Sequence, residues 1–266
     1  MALFRLMLLL AVLTGIFLAV GYFFAGIAGM SYGLLIAFVM NFFAYWYSDK
    51  FVLHLYRAKP HTDKKIDAML SRIAKKAGIP KPPLYFVNLD VPNAFATGRD
   101  VKHAAVAVTK GLIDKLDDKE IEAVLAHEIG HVKNRDTLIA TMAATIAGAI
   151  SWLAYAFYFG NERNRNALSF VLLFFLAPLA ATLVRLAISR SRELSADRTG
   201  AMLSNPLDLA SALQKISAHA AAHPLRGNSA TSHLFIVNPF AGDSLIRLFM
   251  THPPVEERIA LLKGMK

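Results

Sequence analysis

Two histidines, His127 and His131, stand four residues apart with Glu128 directly after the first, in the stretch LAHEIGHVKNRD from Leu125 to Asp136. On a helix, side chains four apart leave the same face, so both imidazoles can share one metal ion. Glu128 is displaced by one position and can reach a water on that ion. Two ligands and a general base in this order are the HExxH arrangement of metalloproteases. The pentapeptide alone also arises on solvated helices whose histidines face water, so the third ligand carries the decision.

A candidate lies in SRELSADRTG, Ser191 to Gly200. Glu193 and Asp197 are again four apart, so a second helix can offer Glu193 to the ion. Asp197 can then accept the outer N–H of a ligand histidine, which fixes its tautomer and raises its basicity. Pairing of both acids with Arg192 and Arg198 on a solvated helix is the alternative, and the HExxH helix favours the metal role. Two imidazoles and one carboxylate suit a single zinc ion per chain with an open fourth position. Such an ion activates water and polarises a carbonyl, and Glu128 would move the proton from water to the leaving amine. Peptide hydrolysis is the reaction this set serves.

The elements that must position these groups are legible too. Asp117, three residues before Glu120, predicts a capping box at the start of the metal helix. Ile121, Leu125, Ile129 and Val132 mark an apolar stripe along it. On either side of the two ligand segments the sequence is membrane-like. No charge occurs from Leu6 to Ser48, which is too long for one span of about 20 residues and suits two. The glycines of GIAGMSYG, Gly26 to Gly33, predict the break, giving spans near 5–25 and 31–48. Uncharged runs at Thr137–Asn161 and Ala167–Val184 predict a third and a fourth span joined by NERNRN. The metal helix leads into the third and the Glu193 helix leads out of the fourth. Packing those two spans as a hairpin brings the ligand sets together.

Charge sets the orientation. Of the lysines and arginines, only Arg5, Arg163 and Arg165 lie outside 49–136 and 185–266. Basic residues gather on the cytoplasmic side, so both termini and the active site are expected there. The organisation is then two spans over 1–48, a cytoplasmic α/β part with the HExxH helix over 49–136, a membrane hairpin over 137–190, and a cytoplasmic helical part over 191–266 that completes the site. The fold class is a mainly α membrane protein with four transmembrane helices and a zincin-like α/β metalloprotease domain.

Four stretches in order, NAFATG at 93–98, HEIGH at 127–131, RELSADR at 192–198 and THPPVEERI at 251–259, resemble the HtpX-type membrane zinc metalloproteases, distant relatives of the CAAX prenyl proteases. The resemblance covers essentially the whole chain. It implies His127, His131 and Glu193 as zinc ligands and Glu128 as base. It also implies quality control of damaged or misfolded membrane proteins in the inner membrane of a cell, with the site facing the cytoplasm. His252, in THPP, is implied to lie near the active site, where it stabilises an oxyanion or serves only as a structural turn.

Within the α/β part, TDKKIDAMLSRIAKKAGI reads as an amphipathic helix with Ile66, Met69, Leu70 and Ile73 on one side. PPLYFVN and HAAVAVTKG read as strands, with NAFATG a short strand between them. As an edge strand near the zinc it could take an extended substrate by β-addition, with Asn93 hydrogen-bonding the peptide. The alternative is an ordinary strand with Phe95 in the core. The histidines of the 223–244 loop and its surroundings, His219, His223 and His233, match no ligand pattern.

The composition of 266 residues is 55% hydrophobic and 18% charged, with a net charge of +10 and no cysteine. Absent cysteine excludes disulfides and thiolate metal sites. The basic residues flank apolar runs and no nucleic-acid motif is present, so the partners expected are a lipid bilayer and polypeptide substrates, not nucleic acid. A non-catalytic zinc adaptor would dispense with Glu128. A transporter would place ionisable residues inside its spans, and four spans are few for a prenyl-peptide protease.

Overall fold

A computed structural model describes residues 2–139, 190–224, 234–237 and 253–265. The expected third and fourth spans fall almost wholly outside these residues, as do His233 and His252. Helix α1, Ala2–Leu55, is broken at Ala25–Gly26, where Gly26 takes φ 59°. The two arms fold back on each other. A Cβ on Gly21 would lie 2.2 Å from the carbonyl oxygen of Gly29, and one on Gly33 would lie 2.3 Å from that of Phe17. Farther along, Asn41 Nδ2 donates to Thr14 Oγ1 at 3.1 Å.

The break therefore sits at the first residue of the expected 26–33 turn, and the second arm starts at once. The reason is a division of labour among the glycines. Gly26 supplies the left-handed turn, whereas Gly29 and Gly33 stay helical and let the backbones touch, as small residues do between membrane helices. Ala25–Tyr47, 23 residues, is long and apolar enough to cross a membrane, and Leu10–Phe23 is a shorter apolar stretch. The second arm leaves Ile27, Tyr32, Leu35 and Phe38 exposed. An apolar face of that size calls for a non-aqueous neighbour. The arm continues as helix to Leu55, beyond the expected boundary at 48. Near its end, the Arg99 guanidinium lies 4.6 Å from the Trp46 ring centroid.

The α/β part follows. Strand β1 is Lys59–Pro60, and helix α2 is Lys64–Ala77, capped by Asp63 and ended by Gly78 at φ 73°. Its buried face holds Ile66, Met69, Leu70 and Ile73, as the periodicity predicts. Strands β2 (Leu84–Val87), β3 (Ala94–Gly98) and β4 (Ala104–Thr109) complete a sheet of order β1-β2-β4-β3. β2 runs parallel to β4 and β3 antiparallel to it, with Ala96 opposite Val106. Among the described residues β3 is thus an edge strand, and every residue in it is buried. Phe95 packs with Val52, Val87 and Leu234. Both sequence readings of this strand therefore hold in part: it is an edge, and Phe95 is in a core.

Short helix α3 (Lys110–Lys115) leads to α4, Asp118–Lys133. Asp117 and Glu120 form the expected capping box. Glu120 also accepts from Ser211 and Lys215, each at 2.7 Å, so helix α6 (Pro206–Ala222) docks on the same cap. Helices α5 (Arg190–Leu203) and α7 (Val255–Lys263) close the other side. The main core lies between the sheet and α2, α4 and α6, with Leu70, Val106, Leu125 and Leu213 fully buried.

Candidate metal centre

Helix α4 presents His127 and His131 on one face, and α5 crosses against it. Contact is close because both helices are bare at the crossing. A Cβ on Gly200 would lie 2.9 Å from the His127 nitrogen, and one on Gly130 would lie 3.1 Å from the Ala196 carbonyl oxygen. This approach brings Glu193 over the two imidazoles. The two Nε2 atoms are 3.2 Å apart. Glu193 Oε2 lies 3.8 Å from His127 Nε2, and Oε1 lies 3.5 Å from His131 Nε2.

These edges can be compared with a metal's requirements. Tetrahedral bonds of about 2.0–2.1 Å imply ligand–ligand edges of about 3.3 Å. Each imidazole turns its other nitrogen to a carboxylate: His127 Nδ1 is 3.0 Å from Asp197 Oδ1, and His131 Nδ1 is 3.4 Å from Asp136 Oδ2. A proton placed on each Nδ1 would leave both Nε2 lone pairs facing the Glu193 carboxylate. His127, Glu193 and Asp197 are at most 5% exposed. Once His131 gives up its proton, the two Nε2 atoms and the Glu193 carboxylate present three acceptors suited to one cation.

Charge follows from the same packing. Burial opposes protonation of His131, but the charges of Glu193, Asp136 and Glu128 outweigh it and raise its pKa to about 9 in the metal-free chain. Burial pushes Asp197 up, yet hydrogen bonds with Arg258 and His127 win and hold it at about 2. Burial raises the pKa of Glu128 against the lowering influence of the two histidines. Glu128 Oε2 accepts from the backbone N–H of Ala96 on β3 at 2.9 Å, so this carboxylate sits between the His127–His131–Glu193 group and the sheet edge.

The structure brings His127, Glu128, His131, Glu193 and Asp197 together. Asn93 is close by in a different role from the expected one. Its carboxamide donates to Leu234 O at 3.0 Å and accepts from Ile236 N at 3.0 Å. With the side chain only 1% exposed and both ends engaged, it grips the chain's own 234–237 segment.

Two residues escaped the sequence reading. Arg258, 1% exposed, donates from Nε and Nη2 to Asp197 at 2.7 Å each and from Nη1 to Ile236 O at 3.1 Å. Its signal was an arginine on the helix face shared with the buried Leu262. Asp136 was signalled only by standing at the border of an uncharged run.

An HExxH helix, a crossing helix that brings up Glu193 and an edge strand that touches Glu128 match the layout of a metallopeptidase. The model of peptidase family M48 matches residues 60–266. The chain belongs to that family and is a membrane metalloprotease, a hydrolase. It is similar to the protein named protease HtpX homolog of Sulfurihydrogenibium sp. (strain YO3AOP1), 48% identical over 281 residues, 98% of this chain and 95% of that protein. The protein of the same name from Pyrococcus furiosus is 49% identical over 269 residues, 96% of this chain and 93% of that one. The crystal structure of S. mikatae Ste24p shares the fold at a TM-score of 0.55 and 19% identity. The match covers 95% of this chain but only 62% of Ste24p.

Proposed function

We propose that the protein is a zinc endopeptidase that holds one zinc ion per chain on His127, His131 and Glu193 and uses Glu128 as its base. The observation that carries this is the convergence of two Nε2 atoms and a carboxylate within 4.8 Å, beside a glutamate tied to a sheet edge. Zinc bound there would supply Lewis acidity and a water of near-neutral pKa. Glu128 takes a proton from the attacking water and gives it to the leaving amine. Its raised pKa suits the first step, since a carboxylate of higher pKa is a stronger base.

Substrate binding falls to β3. Asn93 O accepts from Thr109 N, so residues 93, 95 and 97 pair with β4. Ala94 N–H and C=O and Ala96 C=O then face outward, with the Ala96 N–H held by Glu128. An extended peptide added at this edge gains backbone hydrogen bonds with little demand on its sequence. That property suits damaged, varied substrates, as the resemblance to HtpX-type proteases implies for membrane-protein quality control. The fourfold span arrangement, the cytoplasmic site and termini, and a place for His252 beside the site complete the proposal. The basic segments around the site and the Trp46–Arg99 contact at the end of an apolar arm support this orientation.

Zinc analysis and casein cleavage, comparing the unmodified protein with Glu128→Gln, test the chemistry. The variant should keep zinc and lose hydrolysis; full proteolysis by it sinks the assigned base. Orientation is read separately. A cysteine at Asn164 should react with an impermeant thiol reagent in intact cells, and cysteines at Thr62 or Asn228 should not. The reverse pattern overturns the cytoplasmic reading.

A further inference from the structure

The carboxylate behind His131 stands at an unusual place in the chain. Helix α4 ends at Lys133, the chain turns through Arg135 at φ 59°, and a new helical stretch starts at Asp136. The positive φ at Arg135 breaks the helix, and Asp136 lies within reach of a histidine five residues upstream. Asp136 Oδ1 in turn lies 3.3 Å from Arg192 Nε, in the first turn of α5. Asn134 Nδ2 donates to Ser195 Oγ at 3.3 Å, a second tie between the same two segments. Asp136 is 8% exposed.

The result is a chain of contacts, His131–Asp136–Arg192, that repeats the logic of His127–Asp197–Arg258 on the other ligand. The difference lies in where each chain is anchored. Arg258 belongs to α7 at the C-terminal end. Asp136 and Arg192 stand where the uncharged segment 137–161 departs and where the chain returns after 167–184.

Resting on the zinc reading, we propose that Asp136 is a positioning residue that fixes the ring and tautomer of His131, and that Arg192 holds Asp136 in place. The hold of the site on zinc then depends on the closure of this junction. An oriented, carboxylate-bonded imidazole is a stronger ligand, and loss of such a partner typically weakens metal binding about 10–100-fold. Arg192 acts one step further out, so its loss should cost less.

The test uses full-length protein in detergent. Zinc dissociation constants come from competition with a chromophoric chelator, and the visible bands of the cobalt-substituted protein report ligand geometry. Asp136→Ala should weaken zinc about 10–100-fold and alter the cobalt bands. Asp136→Asn keeps an acceptor oxygen and should fall between that variant and the unmodified protein. Arg192→Ala should weaken zinc to a smaller degree, with Arg192→Lys restoring part of it. A purely structural aspartate would leave the cobalt bands unchanged. If Asp136→Ala does not fold, the milder Asp136→Asn and Arg192→Ala decide by the same measurements. Zinc affinity within threefold of the unmodified protein, with unchanged bands, in the variants that fold overturns the inference while leaving the zinc site standing. An unmodified protein that binds no zinc overturns the zinc reading and this inference together.

Discussion

Replacement of Arg258 by methionine tests the most buried charge in the described structure. The guanidinium is 1% exposed and its bidentate partner Asp197 is 3% exposed. The effect can be approached from the aspartate. Its pKa falls from 3.8 to about 2 even though burial works in the opposite direction. That net shift corresponds to about 2–3 kcal/mol. Arg258 and His127 must supply this and also offset desolvation. Removal of one partner of a buried pair typically costs about 3–5 kcal/mol, because the other charge is left stranded. At about 2–4 °C per kcal/mol for a chain of this size, Arg258→Met should lower the melting temperature by about 10 °C. The sign with pH follows from a depressed folded value. The stabilisation is complete above about pH 4 and is lost as pH falls through 3.8 towards 2. At about pH 7.5 the whole deficit should therefore be visible. Melting in detergent, followed by intrinsic fluorescence, measures it. The double variant Arg258→Met, Asp197→Asn removes both charges and should recover part of the loss. A shift under about 3 °C for the single variant, or a double variant less stable than the single one, refutes the reasoning.

Zinc binding should depend on pH through His131. A group that holds its proton up to about 9 must release it to become a ligand, so affinity should rise roughly tenfold per pH unit from about pH 7 to about 9 and then level off. Chelator competition across that range, with an affinity flat in pH, would refute this. Ala96→Pro deletes the N–H that holds Glu128 at 2.9 Å. Zinc should be retained and kcat should fall by at least tenfold; full turnover in a folded variant means that the hydrogen bond does not position the base. Gly200→Ala puts a methyl 2.9 Å from the His127 nitrogen. A helical Gly→Ala change in open space stabilises by up to about 1 kcal/mol, whereas overpacking costs about 1–3 kcal/mol. A raised melting temperature would show that the two helices are not in the close contact described.

Much of this site was legible because its members lie at helical spacing. His127 with His131, and Glu193 with Asp197, each repeat at four residues, and the period places each pair on one face. Helix α2 and the cap at Asp117 were readable for the same local reasons. What escaped was set through space. Arg258 meets Asp197 from a helix 61 residues away, and no periodicity links them. Asp136 is near in sequence, but the helix break at Arg135 lies between it and His131. Asn93 was read as bonding a peptide, whereas its carboxamide holds Leu234 and Ile236; a carboxamide at a strand end can serve either. The first hairpin was read at the right place in outline. Its glycines looked alike in sequence, although one turns the chain and two pack it.

The contacts also show why an edge strand and a metal site can act as one unit. β3 is joined to the centre twice. Directly, Ala96 N–H holds Glu128. Indirectly, Asn93 grips Leu234 and Ile236, Ile236 O accepts from Arg258, and Arg258 clamps Asp197 behind His127. On the proposed reading, a peptide laid along β3 would be tied to Glu128 and to His127 through bonds of about 3 Å at each step. The other ligand, His131, is held through Asp136 and Arg192 from the junction with the apolar segments. Strand β3 and the Asp136–Arg192 contact thus each connect to one imidazole of the pair. A shift at either would open the 3.2 Å separation of the two Nε2 atoms, which is the dimension a shared ion depends on.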